Sequence, residues 1–152
     1  YASKIYNDEW MMAKGYIDSS FNVIIDDLLK ELGKDGKEVI TITDSVTIGD
    51  AVKVMEQKGV SQLPVFAEGS IKGVVSENAL LKPLFNGEYH LNDSISLAYS
   101  NKYKVVDRFD LLANVADALL HKEVVIVTDK GKLINILTNI DILNYIAKRD
   151  NV

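Results

Sequence analysis

Leu133-Ile134-Asn135-Ile136-Leu137-Thr138-Asn139-Ile140-Asp141-Ile142-Leu143-Asn144-Tyr145-Ile146 is the stretch on which the reading of this chain turns. Leu133, Ile134, Ile136 and Leu137 are apolar with almost no polar relief, the pattern of a buried strand. Thr138 breaks the run and can cap a helix through its hydroxyl. Asp141 stands close to the spacing of a capping box. Ile142, Leu143 and Ile146 continue as an apolar helical stripe. A strand entering a helix through Thr-x-x-Asp gathers backbone N–H groups, a hydroxyl and a carboxylate at one point. That carboxylate can accept two hydrogen bonds from a vicinal diol, as an acidic residue does for ribose in dinucleotide folds. The same spacing also serves a plain capped helix.

Working outward, the 152 residues suit one domain, or two small ones sharing a core. A composition of 47% hydrophobic and 26% charged residues is that of an ordinary globular protein. With no cysteine, disulfides, thiolate metal sites and Cys nucleophiles are excluded. The two histidines, His90 and His121, are isolated and read as surface or core residues rather than ligands. A net charge of −5 without a Lys/Arg cluster argues against a nucleic-acid partner. No apolar run is long enough to span a bilayer and no signal peptide is visible, which for a fragment says little about the parent protein; the expectation is a cytoplasmic protein without a membrane partner. A first residue of Tyr1 rather than Met is the start expected of a fragment.

From the N-terminus, residues 1–17 read as a helix with Ile5, Trp10, Met11 and Met12 on its apolar side, ended by Gly15. Trp10 is either core or an anchor to something upstream. Ser19 or Ser20 is placed to cap a second helix carrying Phe21, Ile24, Ile25, Leu28 and Leu29. Asp26, Asp27 and Glu31 form its expected solvated face. Gly33-Lys34-Asp35-Gly36 reads as a turn-rich loop. Residues 39–42 read as a strand, and Thr47 caps a helix over 48–57 that Gly59 ends. Gln62–Phe66 is a strand with Pro64 near its start. Glu68-Gly69-Ser70 is a hairpin turn, residues 71–75 are a strand, and Ser76 opens a helix through Leu80, Leu81 and Leu84.

Residues 86–100 are a polar connector, after which the order of elements returns. Residues 104–106 are a strand, and Leu112, Val115, Ala116 and Leu119 form a helical face. Residues 124–127 and 133–137 are strands joined by Asp129-Lys130-Gly131, and the last helix follows Thr138. Asp107 and Asp110 read as turn and cap residues. Ile48, Ala51, Val52 and Met55 recur as Leu112, Val115, Ala116 and Leu119, an offset of 64. Val65, Gly69, Ile71, Ser76, Leu80, Leu81 and Leu84 recur as Val127, Gly131, Leu133, Thr138, Ile142, Leu143 and Ile146, an offset of 62. Such a repeat defines the folding unit, here β-α-β-β-α within a mixed α/β fold. Neither half can cover both faces of a three-stranded sheet. Two copies packed sheet to sheet about a pseudo-twofold axis are therefore expected. Clefts at the seam would be lined by the Ser/Thr turn of one copy and strand ends of both.

A tandem β-α-β-β-α with such a Gly-containing, Ser/Thr-x-x-Asp pattern resembles a CBS-domain pair, or Bateman module, from Val39 to about Lys148. The flanks narrow the likeness. Tyr1-x-x-Lys4-x-x-x-Asp8-x-Trp10-Met11-x-x-Lys14-Gly15 resembles the linker between the catalytic and regulatory parts of eukaryotic cystathionine β-synthases. Lys58-Gly59-x-x-Gln62-x-Pro64-Val65 and Thr138-x-Ile140-Asp141-x-Leu143-Asn144-Tyr145-Ile146 are similar to parts of their first and second repeats. The resemblance implies linker helices over 1–37, a first repeat over 38–86, a connector over 87–101 and a second repeat over 102–152. It also implies an absent catalytic domain that carries pyridoxal phosphate, whose activity this regulatory segment controls.

In that family the clefts take adenosyl ligands, the motif's Asp holding the ribose hydroxyls. Ser76 is followed at that position by Ala79 and Thr138 by Asp141. A ribose in the first cleft would lose a contact of roughly 1.5–3 kcal/mol, about tenfold in affinity or more. The competent cleft is expected to use Thr138 and Asp141. The resemblance implies S-adenosylmethionine there, lined by Val39 with Glu38 nearby, and by Val60, Ser61, Gln62, Leu63, Ile134, Ile136, Thr138, Ile140 and Asp141. The sequence departs from responsive relatives where Val60 and Ile134 replace aromatics and Ser61 replaces an acidic residue. Two readings follow: a sensor of S-adenosylmethionine, or a non-sensing module that dimerises through the helices over 48–57 and after Ser76. No Ser/His/Asp arrangement or metal-ligand spacing marks an active site, so neither catalytic nor metal residues are assigned. The expected partners are a catalytic domain and a second copy.

Overall fold

Two tight turns govern the architecture. Glu68 and Gly69 take φ of 54° and 78°, and Lys130 and Gly131 take 53° and 81°. Positive φ at both central positions is the type I′ signature, whose twist suits paired antiparallel strands. The computed structural model describes residues 22–121 and 124–150. The helix expected over 1–17, Trp10, and the Ser19 or Ser20 cap lie outside the described residues.

Contacts divide the chain into two units, one of residues 40–103 and one combining 1–39 with 104–152. In the first, β1 (Ile42–Thr43), β2 (Gln62–Ala67) and β3 (Ser70–Ser76) form a sheet in that order. β1 runs parallel to β2, and β2 antiparallel to β3. The parallel step requires a crossover, supplied by α2 (Ile48–Lys58). Thr47 caps its start as expected, and Asp50 completes a capping box that the sequence reading did not include: Asp50 N–H donates to Thr47 Oγ1 at 3.1 Å, and Thr47 N–H to Asp50 Oδ2 at 3.1 Å. Gly59 ends it in the left-handed region at φ 66°. α3 (Glu77–Phe85) follows β3, with Ser76 Oγ accepting from Ala79 N–H at 3.2 Å. Ile48, Ala51, Met55, Leu63, Val65, Val75 and Leu80 make the core. The connector belongs to this unit. Thr47 bridges to Ser94 and Val74 to Ser100, and Ile95 is fully buried.

The other unit repeats the plan with β4 (Tyr103–Asp107), a 3₁₀ turn (Leu112–Val115), α4 (Ala116–Leu120), β5 (Val124–Asp129), β6 (Lys132–Leu137) and α5 (Asn139–Asp150). Its sheet order is β4-β5-β6. The hairpin irregularity falls between Val127 and Thr128 here and between Val65 and Phe66 in the other unit, the same offset of 62. The expected helical face over Leu112, Val115, Ala116 and Leu119 is buried, but its first turn is 3₁₀. Leu111 offers no side-chain acceptor at the helix start, which is held instead by Leu112 N–H donating to Val23 O at 2.8 Å.

α1 (Ile25–Glu31) packs within this second unit, its Ile25, Leu28 and Leu29 joining Leu112, Val115, Val125, Val127, Leu137 and Tyr145 in one core. The expected solvated acidic face of α1 is corrected at Asp26, which is only 6% exposed. Arg108 reaches it from the loop after β4, with Nε 3.0 Å from Oδ1, and Lys30 Nζ lies 3.1 Å from Oδ2. A buried carboxylate persists because cations partner it. Asp27 and Glu31 remain exposed. Asp107 and Asp110 are the expected turn residues: Phe109 N–H donates to Asp107 Oδ2 and Asp107 N–H to Asp110 Oδ2, each at 3.0 Å.

Candidate functional site

β6 delivers Thr138 to the mouth of α5, and the helical turn brings Asp141 back over it. Thr138 N–H donates to Asp141 Oδ2 at 2.9 Å, and Thr138 Oγ1 to the same oxygen at 3.3 Å. Ser76 in the other unit works the opposite way, its hydroxyl accepting from a backbone N–H. Ala79 there offers no side-chain acceptor, so only the Thr138 turn carries a carboxylate three residues after the capping hydroxyl.

Lys34, from the turn-rich loop after α1, completes this turn. Its Nζ donates to Asp141 Oδ2 at 2.8 Å and to Ile136 O at 2.7 Å. The lysine and aspartate side chains are 25% and 16% exposed. Among the described residues, every hydrogen bond to this carboxylate ends on Oδ2. Asn135, buried in β6, holds the lysine's backbone: Nδ2 donates to Lys34 O at 2.8 Å, while Oδ1 accepts from Ile136 N–H at 2.9 Å. Lys34 N–H is tied in turn to Leu29 O at 2.8 Å. An Asn inside an otherwise apolar strand was the available signal, because a buried amide needs partners. Nothing in the sequence said that the partner would be 101 residues away. A groove of about 240 Å³ opens beside the pair, lined by Leu32, Lys34, Asp141, Asn144, Ala147 and Lys148.

Of the expected ligand residues, Ile136, Thr138 and Asp141 are thus brought together. Ile134 is half-buried against the core of the same unit, Ile140 is 60% exposed, and Val39 is half-buried ahead of β1. Val60, Ser61, Gln62 and Leu63 belong to the other unit. There Val60 packs on the core, and exposed Ser61 accepts at its carbonyl from Glu77 N–H at 2.9 Å. Gln62 opens β2 opposite Ser76. The Leu63 side chain is fully buried in the core, so a ligand could meet only its backbone. Among the described residues no group of His, Asp or Glu is arranged to hold a metal ion, and no helix is long and apolar enough to cross a membrane.

The CBS-domain family model matches residues 25–86. The chain is 27% identical to a cystathionine beta-synthase of Dictyostelium discoideum, over 97% of this chain and 32% of that protein. It is 24% identical to the mouse cystathionine beta-synthase, over 99% of this chain and 32% of that one. The chain therefore spans about a third of the length of the curated relatives it matches. Among solved structures, a CBS-domain containing protein from Agrobacterium tumefaciens superposes with a TM-score of 0.69 at 22% identity, over 82% of this chain and 94% of that one. The CBS domain of a CBS domain containing membrane protein from Sphaerobacter thermophilus gives 0.66 at 16% identity, over 91% and 96%. At such identities the structural likeness shows the fold.

Proposed function

We propose that this CBS-domain chain is the C-terminal regulatory segment of a cystathionine β-synthase, controlling access to and assembly of a pyridoxal-phosphate-dependent catalytic domain. The observation that carries this reading is similarity to those enzymes along nearly the whole chain, over about a third of their length. The effector is S-adenosylmethionine, its ribose diol read by Asp141 beside Thr138. A ligand held there acts on the enzyme to the extent that it favours one arrangement of the regulatory segment over another. The segment also assembles the enzyme as a dimer. Leu81 at 67%, Phe85 at 87% and Leu143 at 58% exposure leave apolar helix faces for that purpose.

The test is catalytic activity of the full-length enzyme and of a version lacking this segment, each with and without S-adenosylmethionine. A change in basal activity on removal, with the response to S-adenosylmethionine confined to the full-length form, is expected. Identical activity and response in both forms would reject the reading.

A second reading has its own support. Lys34 already partners Asp141, and Val60 and Ser61 offer neither an aromatic face nor a negative charge to an adenosyl ligand. These features suit a module that fixes a constitutive state without sensing. Absence of calorimetric heat and of any thermal shift at millimolar S-adenosylmethionine would favour it.

A further inference from the structure

We propose that Lys34 is a built-in competitor for the Asp141 carboxylate, so that a ribose-bearing ligand occupies this turn only by displacing the lysine. The proposal rests on the reading of Asp141 as the ribose acceptor. A vicinal diol in bidentate contact donates one hydrogen bond to each carboxylate oxygen, and Oδ2 here is already taken by three donors: Lys34 Nζ, Thr138 N–H and Thr138 Oγ1. The two Thr138 contacts are made within the turn itself. Lys34 comes from the loop after α1, 107 positions away in sequence, and is the donor that can leave.

The lysine is delivered, not merely nearby. Asn135 pins its carbonyl and Leu29 O holds its N–H, so the loop after α1 carries the ammonium to a fixed point. The duplication shows that the strand slot is made to receive an incoming segment. Asn135 sits opposite Val127 as Gly73 sits opposite Val65, again 62 positions apart. Gly73 admits Tyr99 and Ser100 of the connector, and the Val74–Ser100 bridge forms beside it. In the second unit the same slot admits Lys34, and that segment alone brings a cation to the ligand turn. Displacing it breaks the bonds from Nζ to Asp141 Oδ2 and to Ile136 O together. Ligand occupancy is thereby linked to the loop that follows α1, in the direction of the chain's N-terminal portion.

The experiment is calorimetric titration of the full chain with S-adenosylmethionine and with adenosine, which has the same diol and no charge. It compares the unaltered chain with Lys34→Met, Lys34→Gln, Asp141→Asn and the Lys34→Met/Asp141→Asn double variant, each first shown to melt cooperatively. Met keeps the aliphatic stem, and Gln serves if Met disturbs folding. Binding about tenfold tighter or more in the Lys34 variants, lost on adding Asp141→Asn, is the expected result for removal of a half-buried competitor. Equal or weaker binding in the Lys34 variants, with Asp141→Asn still abolishing it, overturns the competitor and leaves the ligand reading standing. Tighter binding that survives Asp141→Asn overturns it too, since the lysine would then act elsewhere. No binding of either probe to any variant overturns both.

Discussion

Arg108 is a side chain on which two carboxylates of the second unit converge. Its Nε reaches Asp26 Oδ1 at 3.0 Å, its Nη1 reaches Asp129 Oδ2 at 3.1 Å, and its guanidinium carbon lies 5.3 Å from the centre of the Phe109 ring. Burial by itself would push the Asp26 carboxyl up, but hydrogen bonds from Arg108 and Lys30 outweigh it and hold that carboxyl below its ordinary value of 3.8. A carboxyl depressed on folding contributes stability above its unfolded value and loses it as pH falls through the folded one. Acid should therefore weaken the unit from about pH 4 downward. Arg108→Met should lower stability measurably at neutral pH, because it leaves the Asp26 carboxylate without its main partner. It should also flatten the acid limb. Urea unfolding at pH 7 and at steps below pH 4 checks both, and an unchanged midpoint at pH 7 would contradict the account.

Strand β3 illustrates how an element is held from outside its own sheet. A Cβ built on Gly73 would collide with Tyr99 Cδ1 and lie 2.8 Å from Ser100 O. The ring can give way by rotating, but the carbonyl is fixed by the bridge to Val74. Gly73→Ala should therefore destabilise by about 1–3 kcal/mol, in the range of overpacked sites. Gly59→Ala meets open space but keeps a φ of 66°, so its cost of about 1 kcal/mol would be backbone strain alone. Melting the two variants side by side separates crowding from strain. An equal or larger loss at Gly59 would be evidence against the close approach at Gly73.

The chain does not fold in the order in which it is written. α1 lies N-terminal to the first repeat yet buries Ile25, Leu28 and Leu29 in the core of the second. Leu28→Ala should cost about 2–5 kcal/mol, as for other fully buried leucines. Hydrogen exchange should show that cost mainly in β5 and β6, with β2 and β3 keeping most of their protection, because stability is lost unit by unit. Equal loss of protection in both hairpins would indicate a single cooperative body. The arrangement also gives the upstream segment a physical tie to the unit that bears Thr138 and Asp141.

Local information fixed a large part of this protein. The Glu68-Gly69 and Lys130-Gly131 turns, the Thr47 cap, the Gly59 stop and the strand-to-helix joint at Thr138 were legible because each depends on residues within a few positions. The offset of 62 was legible because two hairpins with the same register need the same pattern. What the sequence could not determine was which distant segments would meet. The burial of Asp26 under Arg108, the seat of Lys34 on Asp141 and the place of α1 in the second unit join residues 82, 107 and at least 77 positions apart. A charged residue in a loop carries the same local signal whether it faces water or a partner. Only the packed chain supplies the second charge, so only the tertiary structure decided which partners the Asp141 and Asp26 carboxylates meet.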